Sequence, residues 1–173
     1  MKKDYWIVKS FIYAFFIALF FNIISNVIIN KFDNIFVLTI ITLIFVFLGI
    51  IFDAIGTSIL VANESTFHAK SAKKIKSAKT AVYLIKNGSR ISSIFCDILG
   101  DICGIISGGV AALISFIIAQ KFNIPSLVAI LIISSVISSL TVGGKAIGKV
   151  IATKKGDEVV FKVARIFDKF KKI

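Results

Sequence analysis

Four long apolar stretches occupy most of this chain of 173 residues, at about 6–29, 35–62, 91–119 and 124–148. Each is at least as long as the ~20 residues that a helix needs to cross a bilayer. Hydrophobic residues make up 57% of the sequence, above the roughly 45–50% that is usual in soluble domains. We therefore predict an all-α, polytopic membrane protein with four transmembrane helices.

Basic residues are concentrated at alternate connections between these stretches. Lysines flank the start of the first stretch and the end of the fourth, and seven lysine and arginine residues occupy the segment 63–90. The other two connections carry one lysine each, Lys31 and Lys121. By the positive-inside rule, both termini and the middle segment are expected in the cytoplasm of a multi-pass protein of the cell membrane. Because the charge borders the apolar stretches, we do not expect nucleic-acid binding.

Two charged segments carry apolar residues at helical spacing. Segment 63–90 is expected to form a cytoplasmic amphipathic helical hairpin within a transmembrane domain of residues 1–152. The basic tail 153–173 is expected to form a C-terminal amphipathic helix. Both would lie on the inner leaflet with their lysines toward anionic lipid, so we expect the bilayer to be a partner. A solvated or partner-binding tail is the alternative.

Three aspartates lie inside the apolar stretches. Asp53 stands in GIIFDAIGTSIL, and Asp97 and Asp101 stand in SSIFCDILGDICGIISGG. A carboxylate at bilayer depth costs roughly 2.5–3.5 kcal/mol on insertion scales, so such residues usually face a bundle interior or a water-filled path. Asp97 and Asp101 are four residues apart, which places both on one face of a helix. This pattern indicates a site for a metal cation.

Further polar side chains accompany the aspartates along the predicted helices. Thr57 shares the arc of Asp53, and Ser93 shares the face of Asp97. The fourth stretch carries Ser138, Thr141 and Lys145 at helical spacing, and Lys145 is expected to come within reach of an aspartate. Divalent cations prefer oxygen ligands, and magnesium takes six of them. The three carboxylates, Thr57 and exposed glycine carbonyls are expected to supply such a set.

Small residues recur in the third stretch at a spacing that is typical of close helix packing. Gly100, Gly104 and Gly108 are four apart, which is the small-xxx-small pattern of membrane helix interfaces. Packing within the chain is one explanation. A homodimer through glycine-rich helix faces is the other expectation.

Several short motifs between residues 45 and 152 resemble the transmembrane domain of the cyclin M/CorC magnesium transporters. FDAIGTSIL, from Phe52, stands where that family has a pattern like FSGAETAL, and the basic segment 71–90 follows in similar spacing. Gly100-Asp101 stands near the family's G-N pair. The ending GKAIGK, from Gly144, is similar to G-E-x-x-P-K, with Lys145 in place of the acid and Gly148 in place of the proline.

The resemblance implies a homodimer whose helices hold a dehydrated magnesium ion. Transferred to this sequence, the metal ligands that it implies are Asp53, Gly56, Thr57, Asp97, Gly100 and Asp101. The leading hypothesis is a transporter or exporter of a divalent cation, with Mg²⁺ as the ion bound.

Two further functions use the same polar residues. In a non-transporting scaffold or accessory subunit, the aspartates would pair with Lys145 and nearby serines to fix the register of the helices. In a Na⁺- or H⁺-coupled carrier, the same carboxylates would titrate or bind sodium. Enzymatic activity is not expected, because the sequence contains no nucleophile–base set and no cofactor-binding loop.

Overall fold

The computed structural model describes residues 2–31 and 34–171 of the chain, and nearly all of them are helical. The elements are α1 (Lys2–Lys31), α2 (Ile35–Val61), α3 (Glu64–Ala72), α4 (Ala78–Lys86), α5 (Gly88–Ser93), a π-helix (Ile94–Gly100), α6 (Asp101–Phe122) and α7 (Ser126–Lys171). The prediction of an all-α protein is confirmed for this part of the chain.

Four helical segments are long and apolar enough to cross a membrane: Val8–Val27, Ile35–Val61, Gly88–Phe122 and Ser126–Lys169. The third consists of α5, the π-helix and α6 in direct succession. In the fourth, the predicted tail continues from the apolar stretch as part of α7, and only Lys155, with φ −125° and ψ 25°, departs from helical geometry. The kink therefore lies close to the boundary expected after residue 152.

The apolar core between the long helices forms around α2. Leu38, Ile41 and Phe45 of α2 pack against Ile98 of the π-helix and Ile102 of α6. By contrast, α1 lies at the periphery, since only 6% of its apolar window is buried, against 50% for the third segment. The phenylalanine-rich surface of α1 is therefore largely exposed.

The glycines of the predicted packing motif face different surroundings. A Cβ added at Gly100 would lie 3.6 Å from the carbonyl oxygen of Gly49, so α2 approaches closely at this point. Gly104 and Gly108 have no atoms within 4 Å of such a Cβ. Each step of four residues rotates about 40° around an α-helix, so the stripe turns away from α2. Only its first glycine serves close packing within the chain.

Gly56→Ala is expected to destabilise the protein, whereas Gly108→Ala is not. An added Cβ at Gly56 would lie 2.5 Å from Cys96 Sγ and 3.0 Å from the carbonyl oxygen of Ser92, and overpacking of this kind typically costs about 1–3 kcal/mol. Gly108 faces open space, so alanine there gains helix propensity. Thermal unfolding in detergent compares the two variants. Equal melting temperatures would show that α2 and α5 are not in tight contact.

The expected hairpin and tail pack against each other at one end of the bundle. Phe67 of α3 and Leu84 of α4 are buried with Val160 and Ala164 of α7. The backbone N–H of Asn63 donates a 2.9 Å hydrogen bond to the Asp157 carboxylate. The apolar faces of the hairpin and the tail, two segments expected to lie on the inner leaflet, thus pack against each other in a second core.

The three basic regions meet at this end of the molecule. The Trp6 ring near the start of α1 lies 5.4 Å from the guanidinium carbon of Arg90 in α5. Thr80 of α4 donates a hydrogen bond to Asp168 near the end of α7. The start of α1, the hairpin and the tail therefore share one side of the bundle, in agreement with the predicted arrangement.

Candidate functional site

Asp53 is buried in the interior of the bundle, with only 4% of its surface exposed. Gly49 and Gly56, one turn before and one after it on α2, allow the π-helix and α5 to approach. Cys96 Sγ donates to the backbone carbonyl of Asp53 at 3.4 Å. Asp53 Oδ2 accepts no hydrogen bond among the described residues, and Lys149 Nζ lies 3.9 Å from it. A buried carboxylate oxygen of this kind is costly unless a cation compensates it.

The backbone opposite Asp53 is a π-helix rather than the α-helix expected from the sequence. It covers Ile94–Gly100 and includes Cys96, Asp97 and Gly100. Isolated π-helical turns inside α-helices are rare and occur frequently at functional sites. No local sequence signal such as proline marks it. It widens the turn at the level where α2 presents its carboxylate.

Asp101, the first residue of α6, forms a close ion pair with α7. Its Oδ1 accepts a 2.9 Å hydrogen bond from Lys145 Nζ. The Lys145 side chain is 21% exposed and that of Asp101 is 63% exposed. The structure therefore pairs Lys145 with one of the three aspartates that the sequence placed within its reach.

Lys149, the lysine opposite Asp53, is not among the site residues predicted from the sequence, where it counts only as a flanking basic residue and as the end of the GKAIGK motif. Lys145 and Lys149 are four apart on α7, so they lie on one face of that helix. They face carboxylates from two different helices, α6 and α2. The i,i+4 spacing of Lys149 from Lys145, a lysine already expected to reach an aspartate, is the sequence signal that could have shown that both lysines face the bundle.

The three aspartates do not form a single group of ligands. Asp97 is exposed and accepts a hydrogen bond from Ser93 Oγ. In the part of the chain that the structure describes, no three Asp, Glu, His or Cys side chains converge on a point that could hold a metal. Asp97 and Asp101 both lie at the exposed surface, whereas Asp53 is buried. A six-oxygen site built from all three carboxylates is therefore not assembled in this conformation of one chain.

The remaining predicted ligands lie around Asp53 without forming a ligand shell. Gly56 is buried against Ser92 and Cys96, where its missing side chain permits helix contact. Thr57, the next residue of α2, is half-buried. Gly100 packs against the backbone of Gly49. The glycines thus have a packing role in this structure.

The predicted hydroxyl residues of the fourth span line a groove between α6 and α7. The groove has a volume of about 160 Å³, and its lining includes Ser138 and Thr141 of α7 with Gly104, Ser107 and Gly108 of α6. Thr141 donates to the carbonyl oxygen of Ile137 at 2.8 Å, so its oxygen remains an acceptor. Lys145 lies one helical turn beyond Thr141 on α7. The groove therefore leads along the bundle toward the Lys145–Asp101 pair.

Comparisons of the chain with protein-family models, with characterised proteins and with solved structures find no match. The similarity to the cyclin M/CorC family thus rests on the motifs alone. The function has to be argued from the two Asp–Lys pairs and the groove beside them.

Proposed function

We propose that the chain is a multi-pass protein of the cell membrane that binds and transports a small cation, with Asp53 as the binding carboxylate. The observation that carries the proposal is that Asp53 is buried and that its Oδ2 accepts no hydrogen bond from the residues that the structure describes. A carboxylate in this position attracts any cation that can reach it.

Lys149 is a suitable counter-charge for an exchangeable site. Charge-assisted N–H···O bonds usually close to about 2.7–2.9 Å, whereas Lys149 Nζ remains 3.9 Å from Asp53 and its side chain is 58% exposed. A long, exposed lysine can move to the membrane surface when a cation arrives. The Lys145–Asp101 pair is shorter and its lysine less exposed, so we propose that it is retained.

We propose a divalent cation, with Mg²⁺ first, as the transported ion. Magnesium commonly keeps several waters and takes only one or two carboxylates from a protein, so we propose that Asp53 binds it in partly dehydrated form. The groove between α6 and α7 offers hydroxyl oxygens along which water can follow. Coupling to Na⁺ or H⁺ through the same carboxylate is the alternative.

Lys149→Gln is expected to tighten cation binding, because it removes the competing ammonium group. Melting temperatures of the purified protein, measured with Mg²⁺, Mn²⁺, Ca²⁺ or Na⁺ at constant ionic strength, give the apparent affinities. A ligand at 100 times its Kd stabilises by about 2.7 kcal/mol, and we expect Lys149→Gln to reach that shift at roughly tenfold lower concentration.

Lys154→Gln is the matched control, since it removes one positive charge from an exposed position of α7. It should leave the cation response unchanged. If no cation stabilises the wild type selectively, or if both variants respond equally, Asp53 is not a cation site. Ion flux into proteoliposomes then tests transport itself.

The proposed topology has four spans and both termini in the cytoplasm. A cysteine introduced at Asn34 or Asn123, at the connections with few basic residues, should react with an impermeant reagent added to intact cells. A cysteine at Lys76, in the exposed connection between α3 and α4, should not react. Labelling of a cysteine at position 76 in intact cells would instead place the connection between α3 and α4 outside the cell.

A non-transporting scaffold is the second candidate, and the two Asp–Lys pairs favour it. Lys145 and Lys149 link α7 to α6 and α2, which suits a role in fixing helix register. The open face at Gly104 and Gly108 would let a second copy approach, so we retain the homodimer as part of either proposal. A scaffold would show energetic coupling between each aspartate and its lysine, but no stabilisation by added cations.

A further inference from the structure

A cleft with a volume of about 820 Å³ opens between the hairpin and the start of the third span. Its lining comes from three regions: Lys79, Thr80, Tyr83 and Leu84 of α4, Ile91, Ile94 and Phe95 of the third span, and Phe167 of α7. The volume falls within the ~300–1,000 Å³ that is usual for pockets that bind small molecules. The cleft is separate from Asp53 and from the groove between α6 and α7.

The cleft lies at the level where the bilayer meets water in the proposed topology. Arg90, which precedes the lining residue Ile91, lies against the ring of Trp6, and tryptophan is enriched at membrane–water interfaces. Tyr83 is 63% exposed and Phe167 is 44% exposed. A molecule in the cleft would therefore contact both the headgroup region and the hydrocarbon.

The chemistry of the lining is divided between an apolar wall and a basic mouth. Five of the lining residues are aliphatic or phenylalanine, and Lys79 carries the only charge among them. Segment 63–90 contains seven basic residues and a single acidic one, Glu64. Thr80 donates a hydrogen bond to the Asp168 carboxylate, so negative charge lies beside Thr80. The positive charge of the mouth lies at Lys79. This combination suits an amphiphile with an apolar chain and an anionic head.

We propose that the cleft binds an anionic phospholipid of the inner leaflet. An acyl chain occupies the wall formed by Ile91, Ile94 and Phe95, and the headgroup phosphate lies beside Lys79. The proposal rests on the membrane placement argued above but not on cation binding. The occupied cleft would hold the hairpin and the tail against the third span.

Native mass spectrometry of the detergent-purified chain, titrated with phosphatidylglycerol or phosphatidylcholine of identical acyl chains, tests this proposal. We expect tighter binding of phosphatidylglycerol. Lys79→Gln should weaken that binding about fivefold, which is the usual contribution of one basic residue near an anionic lipid surface. Lys86→Gln, also on α4 and exposed but outside the cleft lining, is the matched control and should change little.

Ile91→Trp, which fills the cleft, should reduce binding of both lipids if the variant keeps the wild-type melting temperature. If that variant does not fold, the Lys79–Lys86 comparison still decides the question. Equal binding of the two lipids, or equal losses for the two lysine variants, would overturn a specific site. If the protein instead forms dimers that retain no lipid, a second copy of the chain occupies the cleft. Asp53→Asn should bind lipid normally, so failure of the cation proposal is distinguishable from failure here.

Discussion

Asp53→Asn is expected to raise the melting temperature of the cation-free protein and to abolish its response to cations. One oxygen of the buried carboxylate accepts no hydrogen bond within the described part of the chain, and leaving such a group unsatisfied costs about 1–3 kcal/mol, more when it is charged. Asparagine keeps the size and one acceptor oxygen but removes the charge. Lys149 is 58% exposed, so its ammonium group can reach water once its partner is neutral.

The loss of the cation response follows from the same change. A dehydrated or partly dehydrated cation needs formal negative charge to offset the hydration that it gives up. We therefore expect Asp53→Asn to be more stable than the wild type in the absence of cations. Adding cations should stabilise it no further. Thermal unfolding with and without Mg²⁺ measures both effects on one sample.

Asp97→Asn provides a matched control for the change at position 53. Its carboxylate is exposed and bonded to Ser93, so neutralising it should alter neither the cation-free melting temperature nor the response by more than a small amount. If Asp53→Asn instead lowers stability equally with and without cations, the Asp53 carboxylate is a structural group. The transport proposal would then lose its binding site, and the scaffold would be favoured.

The helical architecture could be predicted from the sequence because it depends on local properties. Apolar stretches of more than 20 residues favour long helices whatever these helices pack against. Lysines at alternate connections also indicated that the hairpin and both ends lie on one side, and the contact between Trp6 and Arg90 agrees with this. Neither inference required knowledge of which helix contacts which.

The candidate site could be predicted only in part because it depends on how the helices are rotated against one another. Helical periodicity places Asp97 on the same face as Asp101, but it does not show that Asp97 bonds to Ser93 while Asp101 pairs with Lys145. The partner of Asp53 lies 96 residues away in the sequence, and nothing local relates Lys149 to it. The tail was placed on lipid for a similar reason, since an amphipathic pattern shows that a face is buried but not what buries it.

Lys145→Ala is expected to destabilise the protein by about 2 kcal/mol, because it leaves the Asp101 carboxylate without its counter-charge at membrane depth. The 2.9 Å distance between Lys145 Nζ and Asp101 Oδ1 makes Asp101 the specific partner. Combining Lys145→Ala with Asp101→Asn should therefore recover at least half of the loss, since the charge that was left alone is gone. Unfolding free energies of the two single variants and the double variant form the required cycle.

The matched cycle pairs Lys145→Ala with Asp53→Asn. Asp53 is paired with Lys149 instead, so these two effects should add to within about 0.5 kcal/mol, as they do for residues that share no contact. Coupling in the first cycle and additivity in the second would establish two separate Asp–Lys pairs. Additivity in both cycles would mean that the Lys145 ammonium group extends to the membrane surface and does not pair with Asp101.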